Sequence, residues 1–135
     1  MKLSIHNPAL ESMMVLFNKT AAAHLMQGAD AEQQAYDFLL NQGLKPVCRN
    51  FRCKQGELDL VMLDEDVLVI VEVRFRRSNT FGGAVESITA KKRAKIIYAT
   101  QQYLSTYAVK NTVRFDVVAI SAGNTLNWIK NAFQT

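Results

Sequence analysis

Glu57 and Asp59 stand two residues apart, as do Glu72 and Arg74, each pair inside a run made mostly of Val, Leu, Ile and Met. Residues two apart on a strand share a face, so each run would present paired charged groups on one side of a sheet. Residues 57–63 alternate polar and apolar, Asp64-Glu65-Asp66 offers a turn, and 67–75 returns as a β-branched-rich run. With Glu65 and Asp66 as the loop residues, counting back along both strands sets Asp59 opposite Glu72, their Cβ atoms roughly 4.5–5.5 Å apart. Two carboxylates that close repel unless a proton or a cation lies between them, and Mg²⁺ or Mn²⁺ takes oxygen ligands of this kind. A register slip of one residue would turn Glu72 to the other face and separate the pair. The same residues also permit a plainer arrangement, a polar patch in which Arg74 neutralises both acids. The setting favours the metal, because an acid inside an apolar strand carries a desolvation cost. Arg76-Arg77 follow at once, which suits an anionic substrate.

The elements that must hold these residues follow from the flanking sequence. From Asp30, an N-cap candidate, Ala31, Ala35, Phe38 and Leu39 recur at helical spacing until Asn41-Gln42-Gly43 stops the run. Pro46 opens an extended stretch over 47–53, closed by Lys54-Gln55-Gly56. After the hairpin and a basic, glycine-containing loop at 76–83, a second helix is predicted over about 89–107. Its apolar stripe is Ile96, Ile97, Thr100, Tyr103, Leu104 and Tyr107, with Lys91, Lys95 and Gln102 on the far side. A buried strand over 113–120, a turn at 121–124 and a short strand over 125–130 complete the chain. The order is αβββαβ plus an edge strand. A right-handed crossover through the second helix returns parallel, so the expected class is α/β, a mixed sheet flanked by helices. A composition shift at Gln27-Gly28-Ala29-Asp30 separates a partly helical N-terminal extension, 1–27, from a compact domain, 28–135.

The chain has 135 residues, 49% hydrophobic, with six Gly and two Pro, which excludes a disordered or collagen-like protein. A net charge of +4 is mildly basic and favours an anionic partner. Cys48 and Cys53 are the two cysteines, too few for a secreted disulfide framework, so a reducing, cytoplasmic location is expected with both thiols buried. Zinc would need His6 and His24, and neither forms a spaced pair with a cysteine. The apolar run Met13-Met14-Val15-Leu16-Phe17 is too short for a signal peptide, and nothing approaches the roughly 20 apolar residues of a membrane span, so no membrane partner is expected.

Gly56-Glu57-Leu58-Asp59-Leu60, the hairpin, and Val71-Glu72-Val73-Arg74-Phe75-Arg76 together resemble the acidic motif of the PD-(D/E)XK nuclease superfamily. The close match is the YraN family of small bacterial proteins, which look like archaeal Holliday-junction resolvases. The resemblance covers about 28–133, with Gly28-Ala29-Asp30-Ala31-Glu32, Lys92 and Lys95, Arg114-Phe115-Asp116-Val117-Val118, and Asn131-Ala132-Phe133. It implies a restriction-endonuclease-like core and Mg²⁺- or Mn²⁺-assisted phosphodiester hydrolysis of nucleic acid, with branched or structured DNA as the candidate substrate. By position, Glu32 looks like the helix-borne acid that leans over the metal, and Asp59 and Glu72 look like its ligands, with the Val73 carbonyl as a third and Glu57 as an outer acid. Glu32 has a plainer role too, as a first-turn acid favoured by the helix dipole. Arg74 stands where the superfamily has Lys. It cannot deprotonate water, though it can hold a phosphate or orient the nucleophile.

Arg76, Arg77, Lys92 and Lys95 are the candidate phosphate contacts, and a solvated face is their plainer reading. Trp128 and the tyrosines read as packing rather than as base-stacking platforms. The alternative to an enzyme is a catalytically idle module that binds nucleic acid or protein on the same fold. A homodimer is left open.

Overall fold

The computed structural model describes residues 23–76, 83, 85–123 and 125–135. Arg77 and all but the end of the 1–27 extension lie outside them. Helix α1 (Ala23–Asn41) is followed by β1 (Lys45–Cys53), β2 (Gly56–Asp64), β3 (Val67–Arg76), α2 (Ala90–Thr106), β4 (Val113–Ser121) and β5 (Leu126–Phe133). The strands form one sheet in the order β1-β2-β3-β4-β5. Three neighbouring pairs are antiparallel, and β3 and β4 are parallel because α2 carries the chain back across the sheet. This is the mixed α/β sheet flanked by helices that the sequence predicts.

Each helix covers its own face. Ala31, Ala35 and Leu39, at i, i+4 spacing, bury one stripe of α1 against Leu60, Met62, Val69, Val71, Val118 and Ile120. Ile96, Ala99 and Tyr103 of α2 pack against Val61, Ile70, Phe115 and Val117 on the other face. The central strands are therefore apolar on both sides, as strands covered by two helices must be.

Several boundaries differ from expectation for local reasons. Asp30 does not cap α1, which starts by Ala23. The Asp30 carboxylate instead accepts a hydrogen bond from Gln34 Nε2 at 2.8 Å along the exposed side, and the roughly 1 kcal/mol cost of Gly28 does not stop the helix. Its end falls where Gly43 predicts. That residue takes φ +96°, and the Leu44 N–H reaches back to the Leu39 carbonyl at 3.1 Å. Thr89 caps α2 by accepting from the Lys92 N–H at 3.1 Å. Tyr107, expected in the apolar stripe, is past the last turn and 59% exposed, its ring against Tyr103 and Phe51. Cys48 and Cys53 are half-buried free thiols rather than fully buried ones. Strand β5 runs to Phe133, beyond the expected end at 130, because a bulge opposite Asp116 lets it resume pairing at Phe115.

Gly56 sets how closely α2 approaches the sheet. A Cβ there would lie 2.5 Å from the Lys95 carbonyl oxygen and 3.4 Å from the Ala99 Cβ. Neither backbone nor a buried methyl can yield cheaply, so Gly56→Ala is expected to cost about 1–3 kcal/mol by pushing α2 outward. Urea unfolding of the two proteins measures it, and an unchanged midpoint would show that the helix has slack.

Candidate active site

Strands β2 and β3 are zipped from Asp64↔Val67 to Leu60↔Val71 in the register that the two-residue loop predicts. Beyond Leu60 the ladder between β2 and β3 does not continue. The Val73 N–H donates to Asp59 Oδ2 at 2.9 Å, so a side chain takes the place of a strand carbonyl. The acids therefore sit where the two strands part. Asp59 (9% exposed) and Glu72 (5%) are both buried there, with their side chains hydrogen-bonded to each other.

Burial is the main cause that pushes Glu72 up to about 8, and the adjacent Asp59 charge adds to it against the opposing pull of Lys92 and Arg74. Burial also raises Asp59, while the Val73 N–H and the hydrogen bond with Glu72 hold it back. The pair is therefore pushed toward holding a proton near neutral pH, with Glu72 the more strongly raised member.

Two cations reach Glu72 Oε1 from different elements. Lys92 Nζ of α2 lies 3.7 Å away, and Arg74 Nη1, two residues along β3 on the same face, lies 3.9 Å away. Arg74 is held by Nη2, which donates to the Ser87 carbonyl at 3.1 Å and to Ser87 Oγ at 3.4 Å. Lys92 was expected only on a phosphate track; it stands beside the acids.

Glu32 approaches from α1. Burial raises its pKa first and the Asp59 charge second, opposed by Arg49 and by a hydrogen bond with Asn50. Asn50 takes φ +56° on β1, an uncommon conformation that Asn tolerates better than most residues. Glu57 is half exposed and pairs with Arg52 at 3.6 Å, while its charge still reaches Asp59 and Glu32. Arg76 ends β3 opposite Ser121 on the side shared by Glu72 and Arg74, and Lys95 is exposed one turn beyond Lys92. Ser87, Arg49 and Asn50 carried no signal in the sequence, since their roles depend on how the helix and loop dock.

The donor set suits a hard divalent cation. Mg²⁺ is usually held by one or two carboxylates while keeping water or phosphate as its other ligands. Asp59 and Glu72 provide two such carboxylates, and their mutual repulsion in a buried setting is what a cation there would relieve. Among the described residues no three His, Cys, Asp or Glu side chains come together as a complete cage. No helix among them is long and apolar enough to cross a membrane.

The profile of the uncharacterised protein family UPF0102 matches residues 31–120, which carry both strands of the acid pair, α2 and most of β4. A UPF0102 protein of Pseudomonas fluorescens (strain Pf0-1) is 49% identical over 116 residues, covering 84% of this chain and 97% of that relative. A second, from Psychromonas ingrahamii, is 46% identical over 109 residues (80% and 89%), and a third, from Stutzerimonas stutzeri (strain A1501), is 48% identical over 113 residues (80% and 94%). With the profile spanning the core and the relatives aligned along most of their length, the chain belongs to the UPF0102 (YraN) family.

Proposed function

We propose that this protein is a Mg²⁺- or Mn²⁺-dependent endonuclease of the PD-(D/E)XK type, with DNA as its substrate. The observation that carries the reading is the buried Asp59–Glu72 pair at the point where β2 and β3 part, faced by Lys92 and Arg74. Asp59 and Glu72 would hold the metal, which when bound lowers the pKa of a water nucleophile and stabilises charge on the phosphate. The Val73 N–H keeps Asp59 oriented. Arg74, fixed by Ser87, offers its remaining donors to a phosphate oxygen, and Lys92 places a second positive charge on the same side. Glu32, with its raised pKa, stands near enough to Asp59 to orient or accept a proton from water entering between α1 and the sheet.

A second reading has an observation of its own. Arg74 and Lys92 already balance Glu72, so the acids could be committed to charge pairing in a module that binds nucleic acid without cutting it.

Cleavage of linear, flapped and four-way DNA with Mg²⁺ or Mn²⁺ separates the two. The nuclease reading expects activity in wild type and in Arg74→Lys, a loss on the order of a hundredfold in Lys92→Met, and none in Glu72→Ala. It also expects a heat of Mn²⁺ binding that disappears in Asp59→Asn. Activity that survives in Glu72→Ala is contamination, and wild type that neither cuts nor binds Mn²⁺ leaves the second reading standing.

A further inference from the structure

An open groove of about 820 Å³ runs between the β1–β2 turn and the first turns of α2, lined by Arg52, Lys54, Lys91, Lys92, Lys95 and Tyr98. Five cations come from two separate elements. Lys91, Lys92 and Lys95 crowd a helix start that has no acid in its first turn, where the backbone dipole already disfavours positive charge. Glu57 is the acid among the lining residues, and it is paired with Arg52. Lys54, Lys91 and Lys95 form no ion pair among the described residues. Such a concentration of positive charge suits a polyanion.

The shape narrows the ligand further. The groove is concave, its floor at Gly56 closes directly on the Lys95 carbonyl, and Tyr98 stands among the cations. A duplex keeps its bases stacked inside, whereas a single strand can lay its phosphates on lysines and turn a base onto an aromatic ring. Lys92 belongs both to the groove and to the surroundings of Glu72, so a strand lying there leads to the acid pair.

We infer that this groove binds single-stranded nucleic acid, its phosphates on Lys54, Lys91 and Lys95 and one base against Tyr98, and feeds it toward Asp59 and Glu72. The last step rests on the endonuclease reading; the binding does not.

The test uses the full chain, with EDTA present so that metal chemistry plays no part, and repeats each measurement in Glu72→Gln. Fluorescence anisotropy compares a labelled single strand of about 10 nucleotides with a duplex of the same length. The single strand is expected to bind more tightly in both proteins. The triple variant Lys54→Glu/Lys91→Glu/Lys95→Glu should weaken it by about tenfold or more and flatten the log–log salt slope by roughly 0.7 per lost contact. Tyr98→Leu should weaken it roughly fivefold or more with the salt slope unchanged, and Lys110→Glu, away from the groove, should bind as wild type does. If the triple variant fails to melt cooperatively, the single Lys54→Gln and Lys91→Gln variants replace it. A duplex bound as tightly as the single strand, or lysine variants or Tyr98→Leu with wild-type affinity, would overturn the inference. Binding that behaves as expected in a protein that never cuts would sink the endonuclease reading alone.

Discussion

Asp116→Ala is expected to destabilise the protein by roughly 3–5 kcal/mol, more than any change at the candidate site. Its carboxylate is fully buried and receives four donors: Arg114 Nε at 2.9 Å, Arg114 Nη2 at 3.0 Å, Trp128 Nε1 at 2.9 Å and the Asn131 N–H at 2.9 Å. Asn131 has φ +53° at the β5 bulge, so Asp116 holds a strained turn of the edge strand in register. Truncation leaves the indole N–H and the Asn131 N–H without acceptors and leaves the Arg114 guanidinium with Asp64 as its remaining acid, at 3.0 Å. For a domain of this size that loss corresponds to a fall in Tm of roughly 10–20 °C. Thermal and urea unfolding would show it; a variant within about 1 kcal/mol of wild type would mean that the network contributes geometry and little energy.

The second large effect is a pH-dependent stability that originates at Glu72. Its pKa is about 8 in the folded protein against an ordinary 4.5. Between those values the native state keeps a proton that the unfolded chain has released, so stability falls as pH rises from about 4.5 toward about 8 and then levels off. Metal-free wild type should lose on the order of a few kcal/mol across that window. Glu72→Gln should match wild type near pH 5, surpass it near pH 8, and keep only the shallower slope due to Asp59 and Glu32, which shift in the same direction. Mn²⁺ should raise the Tm of wild type at the upper end and leave Glu72→Gln unmoved. Equal pH slopes in the two proteins would place the proton somewhere other than on this pair.

How much of this was legible from sequence depended on whether the deciding forces were local. The β2–β3 register could be read because a short acidic turn and two strongly apolar runs leave one pairing that buries both. The parallel return of β4 followed from a helix lying between two buried strands. Helix α1 was misplaced at its start because Asp30 has the chemistry of a cap, and only the continuing helix before it reveals that the side chain is engaged elsewhere. The place of Lys92 beside Glu72 was hidden for another reason. It depends on how far α2 slides over the sheet, and that is set by the missing side chain of Gly56. The Asp116 network was beyond reach, since two of its four donors, the Trp128 indole and the Asn131 N–H at the bulge, arrive only once β5 has docked.

The hairpin that carries the acids has two unlike ends. Near its turn, five consecutive residue pairs hold the strands together through backbone alone; at the other end, a single carboxylate ties Val73 to Asp59. Replacing residues at the turn end risks the whole sheet, whereas replacing the acids breaks no ladder. Heredity can therefore exchange or discard the chemistry of this scaffold without discarding the scaffold. Descendants that keep the shape while differing in the side chains held at the open end are what such a division of labour allows.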